Sequence, residues 1–382
     1  MSLRSAGVAA ACLAVMIAAS PAASAAPTPS TELTTSSSRA VKRAGAPGAI
    51  VGVWQPGRRA YVHTFGVRDT QTRQPMRRDL YMRIGSETKT FTVTALLQLA
   101  EQGRVSLDDP ISKYVPGVVQ GDQITLRQLA NMTSGLENYT LTDAFDTTLQ
   151  TDPHKAWTPQ ELLGLVAGQP LLFQPGDGFS YSNTNTVLIG LVIEQVSGEP
   201  IGAYIKRHIT DPIGMTQTSF PLDSALPDPH ADGYANDTPD KSVANATNWD
   251  PSWTWAAGQM VSTLRDLRIW APRLATGRGL LGARMQRERA RSVAGPGDPV
   301  TYGLGMFNVH QWLGHNGSLP GYQTLALYRP QTKTTIVALI NTDIQRSPRG
   351  APSTLVGEAI TKVISPRNIY TLPAAPPSED EE

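Results

Sequence analysis

Cysteine is almost absent: Cys12 is the only one among 382 residues. One thiol closes no intrachain disulfide, and this one lies in an N-terminal segment expected to be removed, so disulfide scaffolds and thiol chemistry are excluded for the mature chain. Charge of one sign is lacking as well. The 33 Lys+Arg against 32 Asp+Glu leave a formal net charge of +1, and no basic run with interleaved aromatics occurs, which argues against a nucleic-acid partner. No apolar run reaches the roughly 20 residues that a stable membrane span requires. The 6 histidines show no H-E-x-x-H spacing, with His310 and His315 five apart in a strand-like region, and neither a phosphate-binding G-x-x-x-x-G-K-[ST] nor a dinucleotide fingerprint is present. Neither a metal nor a cofactor is therefore expected.

What remains is a chain with 40% hydrophobic residues, enough for a sizeable core. Arg4 followed by the apolar stretch Gly7 to Ala19 and by Ala23-Ser24-Ala25 reads as a secretory signal over residues 1–25, so the protein is expected to be secreted. Residues 26–43, rich in Ser, Thr and Pro, read as a flexible leader, and 367–382, ending Ser378-Glu379-Asp380-Glu381-Glu382, as a disordered acidic tail. The span 44–366 between them reads as one domain. Two strand-like runs, Ala49 to Trp54 and Arg59 to Phe65, flank the turn Gln55-Pro56-Gly57-Arg58, which predicts a hairpin. A helix is predicted from Ser86 to about Gln102. Helices with breakers follow, among them Thr125 to Ala130, a capped helix opening at Thr158-Pro159-Gln160-Glu161, and Asn185 to Ser197 ended by Gly198. Strands return at Trp312 to His315, Thr324 to Tyr328 and Thr334 to Ile340, before a last helix from Ser353 to Ile364. Strands at both ends around a helical insert predict an α+β fold: one antiparallel sheet built from both chain ends, with flanking helices. The α/β part would comprise about 44–97 and 240–366, and the mostly helical part about 98–239.

Three short motifs carry the chemistry. In Ser86-Glu87-Thr88-Lys89 the i, i+3 spacing sets an amine about one helical turn from a hydroxyl, on the same face. A serine hydroxyl is a weak nucleophile at neutral pH and needs such a base nearby. Ser86 also suits a helix N-cap and Lys89 a solvated helix face; the companion motifs Tyr181-Ser182-Asn183 and His315-Asn316-Gly317 are what favour catalysis.

Together these motifs make the chain resemble the penicillin-recognising serine hydrolases. Within them it is most similar to secreted actinobacterial D-alanyl-D-alanine carboxypeptidases, in which His opens the third motif and the second reads Y-S-N-T-N, as Tyr181 to Asn185 do here. The likeness runs from about Ala44 to about Val363 and includes Arg83-Ile84-Gly85, Thr133-Ser134-Gly135-Leu136 and Tyr302-Gly303-Leu304-Gly305. It implies a β-lactamase/DD-peptidase-like fold and an acyl-enzyme on Ser86, with no cofactor. Lys89 or Tyr181 would be the base. Tyr181 would shuttle a proton, Asn183 would hold Lys89 and meet the substrate, and His315 would present a donor to Tyr181 and substrate. Because histidine titrates near pH 6.5, His315 would also make activity pH-dependent. The oxyanion hole would be the backbone N–H groups of Ser86 and Ser318. Asn316, Gly317 and Ser318 would line the substrate with Phe145 and Trp253, though core packing suits those two aromatics as well.

The resemblance implies cell-wall stem peptides or other small peptides and esters as substrates, and β-lactams as acylating ligands. Two positions depart from it. Phe307 stands where those carboxypeptidases place an Arg suited to a free carboxylate, and Pro320 where they have Gln. These departures also fit a carboxylesterase, a D-amino-acid amidase or aminopeptidase, or a class-C-like β-lactamase. A non-catalytic binding protein on the same fold is the alternative from another class.

Overall fold

The structure is a computed structural model describing residues 29–291, 299–347 and 350–372. The expected signal segment 1–25 and the acidic stretch from Pro373 to Glu382 lie outside these. In chain order the strands are β1 (Gly48–Trp54), β2 (Tyr61–Gly66), β3 (Met82–Arg83), β4 (Tyr234–Ala235), β5 (Ala244–Asn245), β6 (Val261–Ser262), β7 (Val300–Gly303), β8 (Met306–Val309), β9 (Trp312–Leu319), β10 (Tyr322–Arg329) and β11 (Thr334–Ile340). Seven of them form one sheet in the order β2-β1-β11-β10-β9-β8-β7, and the pairings are antiparallel. The N-terminal hairpin docks on the last strand through pairs such as Val51↔Ala338, so both chain ends build the sheet, as the sequence predicts.

The helices are α1 (Pro29–Arg43), α2 (Thr88–Glu101), α3 (Leu126–Ala130), α4 (Asp143–Thr151), α5 (Pro159–Gly164), α6 (Asn183–Ser197), α7 (Ile201–Ile205), α8 (Leu264–Thr276), α9 (Ala283–Ala290) and α10 (Pro352–Ile364). Strand periodicity sorts the core into two layers. On β11, Val337 and Leu339 join the larger cluster with α2, α6 and α8, while Ile336, Ala338 and Ile340 join the smaller one on the opposite face with α10. β11 is buried on both faces because successive side chains point to opposite sides of a sheet covered by helices on each. Capping boxes at Thr125 and Thr158 start α3 and α5, and Gly198 ends α6 in the left-handed conformation.

Two boundaries move. Residues 29–43 form α1 instead of a flexible leader. Leu33, Ser37, Ala40 and Val41 are buried at helical spacing, and the Ser36 hydroxyl donates to the Ala359 carbonyl of α10 at 3.0 Å. The tail also begins later than 367: Tyr370 is buried in the α10-side core, and its backbone N–H donates to Thr361 Oγ1 at 2.9 Å.

Candidate active site

Ser86 lies in a 3-10 turn, Gly85–Glu87, that leads directly into α2. It is therefore not the N-cap of that helix. The turn is held from outside, since Ile84 N–H donates to the Met260 carbonyl at 3.0 Å. It leaves Ser86 partly exposed while Glu87, Thr88 and Lys89 are buried. One helical turn on, Lys89 Nζ is bonded to three oxygens: Ser86 Oγ at 3.0 Å, Asn183 Oδ1 at 2.6 Å and the Ala257 carbonyl at 3.0 Å. Burial pulls this amine down to about 7, because desolvation penalises the ammonium form. Two of its three partners, an amide oxygen and a carbonyl, only accept. A neutral amine can satisfy both with its two N–H bonds and turn its lone pair to the Ser86 hydroxyl.

α6 begins at Asn183, which the packing of Asn138 and Thr140 fixes. Asn183 N–H donates to Asn138 Oδ1 at 3.1 Å, and its side-chain amide donates to Thr140 Oγ1 at 3.2 Å. The Asn183 amide thus holds Lys89 as expected but gives its N–H to Thr140. Tyr181, two residues earlier, lies with its ring 4.9 Å from Lys89 Nζ. Its hydroxyl is buried and makes no hydrogen bond among the described residues. Burial raises this phenol well above its ordinary value; the Ser86 hydroxyl pulls the other way without closing a bond of accepted geometry, and Glu87 adds a smaller upward push.

His315 does not take the expected part. It is buried, with Nδ1 at 2.5 Å from the Asn316 carbonyl and Nε2 at 3.3 Å from the Tyr302 hydroxyl. Nδ1 therefore carries the proton, and Tyr302 donates to Nε2. Burial, opposed by the Asn316 carbonyl and aided by the charge of Lys89, lowers this imidazole to about 3. It is neutral at physiological pH, and both ring nitrogens are taken up before Tyr181 is reached. Tyr302 lay in a segment already noted in the sequence, but nothing there marks it as the partner of His315.

β8 pairs with β9 only at Trp312, Leu313 and Gly314, whereas β10 pairs with it from Leu313 to Leu319. The β9 edge from His315 to Leu319 thus has no strand beside it among the described residues, and the Ser86 turn abuts it instead. The approach is close. A Cβ on Gly317 would stand 1.9 Å from the Ile84 carbonyl oxygen and 3.1 Å from Ser86 N, and one on Gly85 would stand 2.7 Å from Ser318 N. The backbone amides of Ser86 and Ser318 therefore border one narrow gap.

Phe145 and Trp253 meet at 5.0 Å between ring centroids, with Trp157 6.0 Å from Phe145. The 3-10 turn Tyr139–Leu141 joins them to the Asn183 side: Tyr139 packs on Phe145 at 5.9 Å and donates its hydroxyl to the Trp253 carbonyl at 2.6 Å. Phe145 is buried and Trp253 partly exposed, so the first belongs to the core and the second presents the surface. Glu87, beside the nucleophile, was not anticipated. It is fully buried, and its carboxyl oxygens have no hydrogen-bond partner among the described residues. Burial raises it well above the carboxylate range, against a smaller pull from the Trp270 indole, whose N–H goes to Thr90. Shifted toward its protonated form by burial, Glu87 gives Lys89 less anionic support than an ordinary carboxylate would. The surface clefts of about 650 and 680 Å³ contain none of these groups. Among the described residues there is no group of three or more His, Cys, Asp or Glu suited to a metal.

A hydroxyl, a desolvated amine and an open strand edge in this arrangement match a known family along most of the chain. The sequence pattern of the Beta-lactamase family covers residues 37–359. The chain belongs to the beta-lactamase family. Among curated relatives it is 28% identical over 338 residues to Protein flp of Staphylococcus aureus strain N315, spanning 85% of this chain and 65% of that protein. Among solved structures it is similar to a D-stereospecific amidohydrolase from Streptomyces sp., at 32% identity and a TM-score of 0.77, covering 87% of this chain and 98% of the other. It is also similar to the D-amino acid amidase of Ochrobactrum anthropi SV3, at 27% identity and a TM-score of 0.76, covering 88% and 98%. The fold is that of penicillin-recognising serine hydrolases, α+β with a seven-stranded antiparallel sheet.

Proposed function

We propose that this serine hydrolase of the beta-lactamase family cleaves small amides or esters of D-amino acids through an acyl-enzyme on Ser86. The observation that carries the reading is the Lys89 amine, which sits 3.0 Å from Ser86 Oγ, is wholly buried, and has two other partners that can only accept. In the proposed reaction the neutral amine takes the Ser86 proton as Oγ bonds to the substrate carbonyl carbon. The oxyanion forms in the gap between the Ser86 and Ser318 amides, where each aimed N–H lowers the barrier by about 3 kcal/mol. Collapse expels the leaving amine or alcohol, which takes the proton back from the Lys89 ammonium. Water, giving a proton to the neutral Lys89 amine, then hydrolyses the ester on Ser86, whose oxygen recovers a proton from Lys89. Lys89 is favoured over Tyr181 as the base, since the Tyr181 phenol is pushed up by burial and makes no hydrogen bond among the described residues.

The substrate class rests on two supports. Phe307, which stacks near Tyr181 at 6.4 Å, offers no positive charge for a free carboxylate where the carboxypeptidases have Arg. The similar Streptomyces and Ochrobactrum structures are named for D-stereospecific amide hydrolysis. The D-alanyl-D-alanine carboxypeptidase expectation is the rival. Turnover of D-phenylalanine amide, L-phenylalanine amide and a D-Ala-D-Ala peptide, with Ser86→Ala as control, separates them. Release of ammonia from the D-amide alone supports the proposal, and preference for the dipeptide end would replace it. Intact mass during incubation with benzylpenicillin then tells a lasting adduct from rapid hydrolysis of the drug. Export is proposed from the N-terminal segment alone; a secreted form starting near Ala26 would bear it out.

A further inference from the structure

Arg83 stands three residues before the nucleophile and is used by nothing above. Its side chain is buried at 2% exposure, yet among the described residues no carboxylate binds it. Asp250 and Asp223 act on it only from a distance. Its Nη2 instead donates to three main-chain carbonyls, those of Ser224 at 2.6 Å, Thr247 at 3.1 Å and Trp249 at 3.5 Å. Nη1 has no partner among the described residues. Arg83 also lines a small open pocket of about 10 Å³ with Trp249, Asp250, Trp253, Leu319 and Pro320, roughly the room of one water. A buried guanidinium without a counter-ion is costly in folding terms, so its retention asks for a reason beyond stability.

We infer that Arg83 is a positioning residue that sets the distance between the nucleophile and the aromatic wall carrying Trp253, and thereby selects the size of the acyl group. Arg83 belongs to β3, which pairs with β6 through Arg83↔Val261 and runs on into the Ser86 turn. Two of the carbonyls it grips, those of Thr247 and Trp249, belong to the loop just ahead of Trp253, and the third, that of Ser224, belongs to a separate segment packed beside it. The far side of that loop is held by the helical part: Trp157 N–H donates to Ser252 Oγ at 2.7 Å, and the Tyr139 hydroxyl to the Trp253 carbonyl at 2.6 Å. Leu319, the last residue of the motif strand, and Pro320 after it line the same pocket. Arg83 is thus a polar link from the nucleophile's own strand to the loop that leads into the wall. One terminal nitrogen, Nη2, shares its N–H bonds among the three carbonyls, and the planar guanidinium fixes the direction of that nitrogen better than a lysine ammonium on a flexible stem would.

The inference rests on the proposed hydrolase chemistry but not on D-selectivity, so the test uses p-nitrophenyl acetate and p-nitrophenyl phenylacetate. For Arg83→Gln, phenylacetate kcat/KM should fall at least tenfold, mainly through KM, with acetate turnover within threefold of wild type. Arg83→Lys should recover part of the preference. Equal losses on both esters, or an unchanged ratio, would overturn the positioning role. If Arg83→Gln does not fold, Arg83→Lys decides by the same ratio; failure of both to fold would make Arg83 a folding determinant and sink the inference. Wild type inactive on both esters would instead remove the hydrolase reading, and this inference with it.

Discussion

Lys89 Nζ lies 3.0 Å from Ser86 Oγ while being closed off from solvent, and the two facts act together. Contact makes proton transfer direct, and burial brings the amine to about 7, where a base is half neutral at working pH. The neutral form fills as pH rises, so kcat/KM for ester or amide should climb through about pH 7 to a plateau. Lys89→Arg, protonated throughout, should lose on the order of 10³-fold. An acylation rate that stays flat from pH 5.5 to 8.5 would rule Lys89 out as the base. The same depression has a stability sign. The folded pKa lies below the unfolded one, so the residue's contribution is complete above the unfolded value and declines as pH falls toward 7.

His315 should not titrate in the active range. Its imidazole is lowered to about 3, so the acid limb of the activity profile belongs to Lys89. Imidazole nitrogen shifts from NMR should show an Nδ1–H tautomer unchanged between pH 5 and 8. With the folded pKa below the unfolded one, stability from this residue is present above about pH 6.5 and is lost as pH drops toward 3. Tyr302→Phe removes the donor to Nε2 and should cost about 1–3 kcal/mol, as for a buried acceptor left unpaired. An imidazole that protonates near pH 6.5 in the folded protein would refute this account.

Gly317 meets the nucleophile's turn too closely for any side chain. An added Cβ would stand 1.9 Å from the Ile84 oxygen, an overlap that only backbone movement relieves. Gly317→Ala should therefore widen the gap between the Ser86 and Ser318 amides and slow acylation by about 10²-fold or more, the scale of a lost oxyanion donor. Acylation within a few-fold of wild type would mean that the gap is not where the oxyanion forms.

Much of this was readable in advance because it is local. Thr125 and Thr158 announce their helices by capping chemistry, the hairpins by turn residues, and the Ser86–Lys89 pair by a one-turn spacing. What was hidden depends on elements far apart in sequence. The Ala257 carbonyl reaches Lys89 across 168 positions, and a main-chain oxygen leaves no trace in residue identity. Tyr302 on β7 donates to Nε2 of His315 on β9, with β8 between them in the chain, and the Asn316 carbonyl takes the Nδ1 proton, so the donor that a solvent-facing histidine would have kept is consumed. Among the described residues Arg83 binds carbonyls alone, so no acidic partner in the sequence points to it.

α1 escaped for a related reason. Its sequence, PSTELTTSSSRAVKR, has the composition of a linker, and serine and threonine are weak helix formers. Its few apolar side chains, however, fall on one stripe. Leu33, Ala40 and Val41 are buried beside Val356 and Ile360 of α10, so tertiary packing supplies what propensity does not. Leu33→Ala should then cost roughly 2–4 kcal/mol, in the range for a buried leucine, seen as a lower denaturant midpoint with an unchanged slope. Removing residues 29–43 should leave α10 uncovered and the domain prone to aggregation. If Leu33→Ala matched wild type in midpoint, the segment would be a leader after all, and the helix contact with α10 would carry no part of the domain's stability.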